Sequence, residues 1–197
     1  MLIYGKAPAG TYFCSMPASP REGAAVKVKE RTMTKKILFV CMGNICRSPA
    51  GEAVMQRFAE EFRVDAEVDS AGTHGYHVGE GADARMTAAA EARGYELTSR
   101  ARKVTPEDLK PEQFDLVLAM DAENHSILLE MAGGLMPHIR MFSDYLDDNW
   151  PSDVPDPYYG EEDGFDQVLD MLEEGCPVIL QTLMGEGIFD GMFEEEQ

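Results

Sequence analysis

Cys41 and Arg47 stand with five residues between them, and Ser48 next, in the run Phe39-Val40-Cys41-Met42-Gly43-Asn44-Ile45-Cys46-Arg47-Ser48-Pro49-Ala50. A cysteine attacks as its thiolate, and a neighbouring arginine or helix N-terminus can lower a cysteine pKa to roughly 3.5–7.5. Phosphate is favoured at the same place. The first amides of a helix lack carbonyl partners, and the helix dipole is positive there. Arg47 can grip two phosphoryl oxygens in a fork that lysine cannot supply. Gly43 lets the backbone pass close to a ligand without a Cβ. The Ser48 hydroxyl can cap the helix or donate to the sulfur. Pro49 falls at the first helical position, where its missing N–H costs little. The Cys–Arg spacing alone is a weak pattern, because a buried cysteine is usually a small hydrophobe. The surroundings decide.

Those surroundings read as a strand, a loop and a helix start. Residues 37–40 are wholly apolar, as in a strand buried on both faces, and the run ends on Cys41. Residues 48–62 repeat Ala50, Ala53, Val54, Phe58 and Phe62 near helical spacing. Residues 64–70 alternate as a second strand, and residues 73–81 form a loop containing Gly and His. Residues 82–93 read as a helix stopped by Gly94. Thr105-Pro106-Glu107-Asp108 reads as a capped helix start. A third strand over 114–120 precedes a helix over 122–131, and residues 139–142 make a short fourth strand. Residues 143–164 are a long loop rich in Asp, Pro and Tyr, of a length that is often functional. A closing helix over 165–183 is expected to kink near Gly175 and Pro177. Strands alternating with helices predict a single α/β domain. Its sheet is four-stranded and mostly parallel, with helices on both faces and the phosphate-binding loop after the first strand. Ligands of such sheets bind beyond the carboxyl ends of the strands, where Cys41, Ser70 and Asp121 fall.

On these residues the chain resembles the low-molecular-weight protein tyrosine phosphatases. The family signature, Cys-x-Gly-Asn-x-Cys-Arg-Ser after the first strand, is matched throughout by residues 41–48. Asp69-Ser70-Ala71-Gly72-Thr73, Met120-Asp121-Ala122-Glu123-Asn124 and Asp156-Pro157-Tyr158-Tyr159-Gly160 resemble its later segments in order and spacing. The resemblance implies hydrolysis of phosphotyrosine or a small aryl phosphate through a phosphocysteine, with Cys41 as nucleophile and Arg47 as phosphate clamp. It requires neither metal nor cofactor, and inorganic phosphate or a similar oxyanion would fit the loop of Met42, Gly43, Asn44, Ile45, Cys46 and Ser48. It assigns the general acid to Asp156 among many local aspartates, including Asp147, Asp148, Asp153 and Asp163. Tyr158 and Tyr159 look like aromatic walls, and Tyr76 aligns with the variable pocket wall opposite. Cys46 is implied as a reversible disulfide partner of Cys41, set against a plain packing role. Related folds reduce arsenate with redox cysteines in a central segment, which this chain lacks. Relatives specialised for phosphoarginine carry Thr where this chain has Ile45. A non-catalytic phosphate-binding module would lack Cys41, Arg47 or Asp156, and all three are present.

Composition limits the partners. The net charge of −19 on 197 residues opposes binding to a nucleic-acid backbone. No apolar run approaches the roughly 18 residues of a membrane span. The chain is basic before Ile37 and carries no Lys or Arg after Arg140. Such an acidic end usually forms a solvated face. The cysteines, Cys14, Cys41, Cys46 and Cys176, show no paired zinc spacing, and a working thiolate implies a reducing, cytoplasmic setting. His74, His77, His125 and His138 match no metal spacing and read as surface or loop residues. Asp121 and Asn124 are expected to fix nearby loops or the next helix start. The expected organisation is a disordered N-terminal extension over 1–34, the phosphatase domain over 35–184 and an acidic tail over 185–197.

Overall fold

A computed structural model describes residues 34–160 and 163–185. The expected N-terminal arm and acidic tail, and Cys14, lie outside the described residues, apart from Thr34 and Gly185. Four strands, β1 (Lys35–Cys41), β2 (Ala66–Gly72), β3 (Leu116–Ala119) and β4 (Ile139–Met141), form one sheet in the order β2-β1-β3-β4. Every pairing is parallel, with Cys41 opposite Gly72 and Val40 opposite Ala119. The helices α1 (Arg47–Glu61), α2 (Ala84–Ala92), α3 (Ala122–Ala132) and α4 (Asp163–Met184) cover the two faces.

The strand period of two sorts the core. Ile37, Phe39 and Cys41 point into one apolar cluster with α1 and α4, whereas Leu38 and Val40 point into the other with Leu128 of α3. Leu116 and Leu118 join the first cluster, and Val117 and Ala119 the second. Both faces of β1 are therefore sealed, which explains its unbroken apolar run. The sulfur of Cys41 emerges on the α1 side. There α1 lies close enough to the sheet that a Cβ on Gly51 would meet the Phe39 ring at 2.6 Å.

Three local expectations change. Helix α1 begins at Arg47, so Pro49 is its third residue and Cys46 its N-cap residue. Ser48 makes no capping bond, because its hydroxyl turns inward to the sulfur and to the Ala71 carbonyl. Residues 105–108 form a capped turn that does not continue: Asp108 accepts from Thr105 N at 2.7 Å and donates its own N–H to Thr105 Oγ1 at 3.4 Å. Pro111 follows soon after, supplies no N–H, and disfavours helical backbone at Lys110. Helix α4 runs without interruption through Gly175 and Pro177. An interior proline costs about 3 kcal/mol. Burial of Leu172, Cys176, Ile179 and Leu180 around it offsets this, at about 1.5–3 kcal/mol for each large aliphatic side chain. The long loop after β4 holds two short 3-10 turns, Phe142–Tyr145 and Pro157–Tyr159.

Candidate active site

The loop between β1 and α1 closes around the Cys41 sulfur. Asn44 adopts a left-handed backbone conformation, φ 57°, which Asn tolerates better than most residues. This turns its N–H onto Cys41 Sγ at 3.3 Å. The turn is fixed by its side chain. Asn44 Nδ2 donates to Ser48 Oγ and to Ser70 Oγ, both at 2.9 Å, and Asn44 Oδ1 accepts from Arg102 N at 2.8 Å. Ser70 in turn donates to Glu52 Oε2 at 2.6 Å. Burial pushes the Glu52 carboxyl above its ordinary range, while the hydrogen bonds from Ser70 and Ser99 work against that shift. Ser48 Oγ stands 3.0 Å from Cys41 Sγ. Among the described residues, the amides of Gly43, Ile45, Cys46 and Arg47 have no protein acceptor. The loop thus carries amide donors left over for an anionic ligand beside the sulfur.

Arg47, with only 3% of its side chain exposed, crosses the floor. Its Nη1 donates to Asp121 Oδ2 at 2.6 Å and to the Val154 carbonyl at 3.0 Å, and its Nη2 donates to Asp156 Oδ2 at 3.0 Å. Burial opposes this charge, yet the Cys41 sulfur and the Asp156 and Asp121 carboxylates hold the Arg47 pKa above its ordinary value. Asp121 has two duties, since its Oδ1 also caps α3 by accepting from Asn124 N at 2.7 Å. Asp156 caps its own turn by accepting from Tyr158 N at 3.1 Å.

These groups open into one cavity lined by Cys41, Met42, Gly43, Ile45, Cys46, Arg47, Tyr76, His77, Asp156 and Tyr158. The side chains of Asn44 and Ser48 are buried, and their hydrogen bonds to each other, to Ser70 and to the Cys41 sulfur hold the loop in shape. Tyr76 stands as a rim wall, 74% exposed and stacked on His74 at 5.3 Å. Tyr158 lines the same cavity, and the Tyr159 side chain lies outside the described residues. Cys46 faces the cavity with its thiol pushed up by burial first and by Asp83 next, so it stays protonated.

Sequence reasoning missed three features. His77 is a cavity residue whose Nδ1 pairs with Glu80 at 2.8 Å. Its ring crosses Gly43, where a Cβ would sit 3.2 Å from His77 Cδ2, so Gly43 makes room for a protein neighbour. Gly72 is the second: a Cβ there would lie 2.7 Å from the Met42 carbonyl. The third is the ion pair of Asp121 with Arg47. The spacing of Asp121 at the end of β3 was the available signal for it. Among the described residues no group of three or more His, Cys, Asp or Glu side chains could hold a metal ion, and no helix is long and apolar enough to cross a membrane.

Residues 36–187 match the family model described as low molecular weight phosphotyrosine protein phosphatase. The chain is 41% identical over 157 residues to a low molecular weight protein-tyrosine-phosphatase of Streptomyces coelicolor, covering 77% of this chain and 94% of that one. A solved protein tyrosine phosphatase of Entamoeba histolytica, with Hepes in its active site, superposes with a TM-score of 0.71 at 40% identity over 76% of this chain and 97% of that one. The solved Drosophila arginine phosphatase DARP superposes with a TM-score of 0.71 at 30% identity over 77% and 99%.

Proposed function

Because the chain belongs to the low molecular weight phosphotyrosine protein phosphatase family, we propose that it hydrolyses phosphotyrosine and small aryl phosphate monoesters in two displacements at Cys41. In the first, the thiolate forms a bond to phosphorus as the bond to the aryl oxygen breaks, and Asp156 gives its proton to that oxygen. In the second, Asp156 takes a proton from water as the water oxygen bonds to phosphorus. The sulfur leaves as thiolate, stabilised by Ser48, and phosphate is released. The loop amides and Arg47 hold the equatorial oxygens. The Arg47 Nη2 that pairs with Asp156 is the donor a phosphoryl oxygen would take. Substrate entry therefore frees the Asp156 carboxyl to turn to the leaving oxygen.

The observation that carries this reading is the meeting of the Cys41 sulfur, the Arg47 guanidinium and the Asp156 carboxyl in one cavity with an aromatic rim. Ile45 and Tyr158 give that cavity an apolar wall for a flat ring. The reading takes residues 35–184 as the phosphatase domain, with the flanking segments outside it. It places the protein in the reducing cytoplasm, acting on phosphotyrosine proteins rather than nucleic acids or membranes. Similarity to an arginine phosphatase makes phosphoarginine the second substrate to assay.

Cys41→Ser should reduce aryl phosphate hydrolysis by about 10⁴-fold or more while leaving the thermal transition in place. Asp156→Ala should cost about 10²–10⁴-fold on substrates with poor leaving groups and little on good ones. Turnover retained by Cys41→Ser, or an even loss across leaving groups for Asp156→Ala, refutes the assigned roles.

A further inference from the structure

The guanidinium of Arg85, at the second residue of α2, sits between the phosphate loop and the segment carrying Asp156. Its Nε and Nη2 donate to Asp83 Oδ1 and Oδ2 at 3.1 and 3.0 Å. Asp83 caps α2 and donates its own N–H to the Ile45 carbonyl at 2.7 Å, so its backbone is tied to the loop around Cys41. On its other side Arg85 Nη2 donates to the Tyr158 carbonyl at 3.3 Å. Its Cζ lies 5.4 Å from the Tyr158 ring centroid and 4.9 Å from that of Phe165, at the start of α4.

We propose that Arg85 is a positioning residue for the acid step, bracing the Asp156–Tyr158 turn against the phosphate loop through Asp83, Tyr158 and Phe165. The inference rests on the reading of Asp156 as general acid. The turn needs a brace because it is one short 3-10 turn on a long loop, anchored upstream where Val154 N donates to the Met120 carbonyl at 2.8 Å. Arg47 also holds it through Asp156, and a bound phosphoryl group takes that guanidinium over. From then on Arg85 keeps the carboxyl in reach of the leaving oxygen. Proton transfer requires about 2.6–3.2 Å between heavy atoms, and a misplacement of about 1 Å can cost about 10²-fold.

Arg85→Met retains the stem and removes the fork, at an exposed position where folding is not at stake. The measurement is kcat/KM on a series of aryl phosphates from p-nitrophenyl to phenyl, with the inhibition constant of inorganic phosphate alongside. The expected result is a loss under about threefold on p-nitrophenyl phosphate and about tenfold or more on phenyl phosphate, with phosphate inhibition held within about twofold. Added to Asp156→Ala, the same change should cost phenyl phosphate nothing further. Asp83→Asn, which keeps a capping oxygen but loses the charge, should tilt the leaving-group dependence the same way. An even loss with weakened phosphate inhibition, a full extra loss in the Asp156→Ala background, or no loss at all overturns the proposal. Asp156→Ala alone separates the two readings. If it fails to steepen the leaving-group dependence, the acid assignment falls; if it succeeds where Arg85→Met fails, only the role of Arg85 falls.

Discussion

Ser48 shows how one hydroxyl can serve two protonation states of a nucleophile. It accepts from Asn44 Nδ2 and has one proton to give, with Cys41 Sγ at 3.0 Å and the Ala71 carbonyl at 3.2 Å as its choices. A thiol can donate to the Ser48 oxygen while the hydroxyl turns to Ala71; a thiolate draws the hydroxyl proton to itself. A hydrogen bond to a charged group contributes about 1.5–3 kcal/mol, which is about 10–100-fold in rate. Ser48→Ala should therefore lower kcat by that factor and make the phosphocysteine accumulate, because the leaving sulfur loses its donor. Rapid-quench trapping of the phosphoenzyme checks this, and unchanged accumulation contradicts the role. Cys41, Arg47 and Ser48 were legible from type and spacing because they lie within one strand–loop–helix run. Ser70 was placed at the crevice by its strand end, but its bonds to Asn44 and Glu52, like the bond Arg102 makes to Asn44, are set by the fold.

Within the unbroken helix α4, Gly175 has a packing role. Helix α4 crosses the core where the fully buried Phe142 ring fills the space beside it, and a Cβ on Gly175 would lie 2.5 Å from Phe142 Cζ and 3.3 Å from Leu146 Cδ2. The glycine is there for close approach, which leaves no trace in the local pattern because Phe142 is 33 positions away. Gly175→Ala sets two effects against each other. Helix propensity gains about 1 kcal/mol, and overpacking costs about 1–3 kcal/mol. The ring has no exposed side to retreat to, so the cost should prevail and the midpoint of urea unfolding should fall. A rise in the midpoint means that Phe142 repacks freely. The turn at residues 105–110 has the same lesson in reverse. Its capping residues were read correctly, but Pro111 ends it before a helix can grow.

At the scale of the molecule, the parallel sheet brings the ends of β1, β2 and β3 to one edge, and Cys41, Gly72 and Asp121 meet there although 80 positions separate the first from the last. The alternation of strands and helices made this crevice legible; which side chains pair within it was left to packing. The same topology sets the electrostatics of approach. One wall of the cavity, Asp156 and Tyr158, comes from the part of the chain that carries no Lys or Arg after Arg140, and the sequence as a whole has a net charge of −19. A chain of that net charge repels a phosphoryl dianion at long range, whereas the buried Arg47 attracts it at the cavity floor and is little screened by salt. The Debye length falls from about 30 Å at 0.01 M salt to about 10 Å at 0.1 M, so salt removes the far field and spares the contact at the floor. For a phosphotyrosine peptide with acidic flanks, kcat/KM should rise severalfold over that range, and for one with basic flanks it should fall. A parallel fall for both peptides means that the local positive cup, and not the acidic shell, governs encounter.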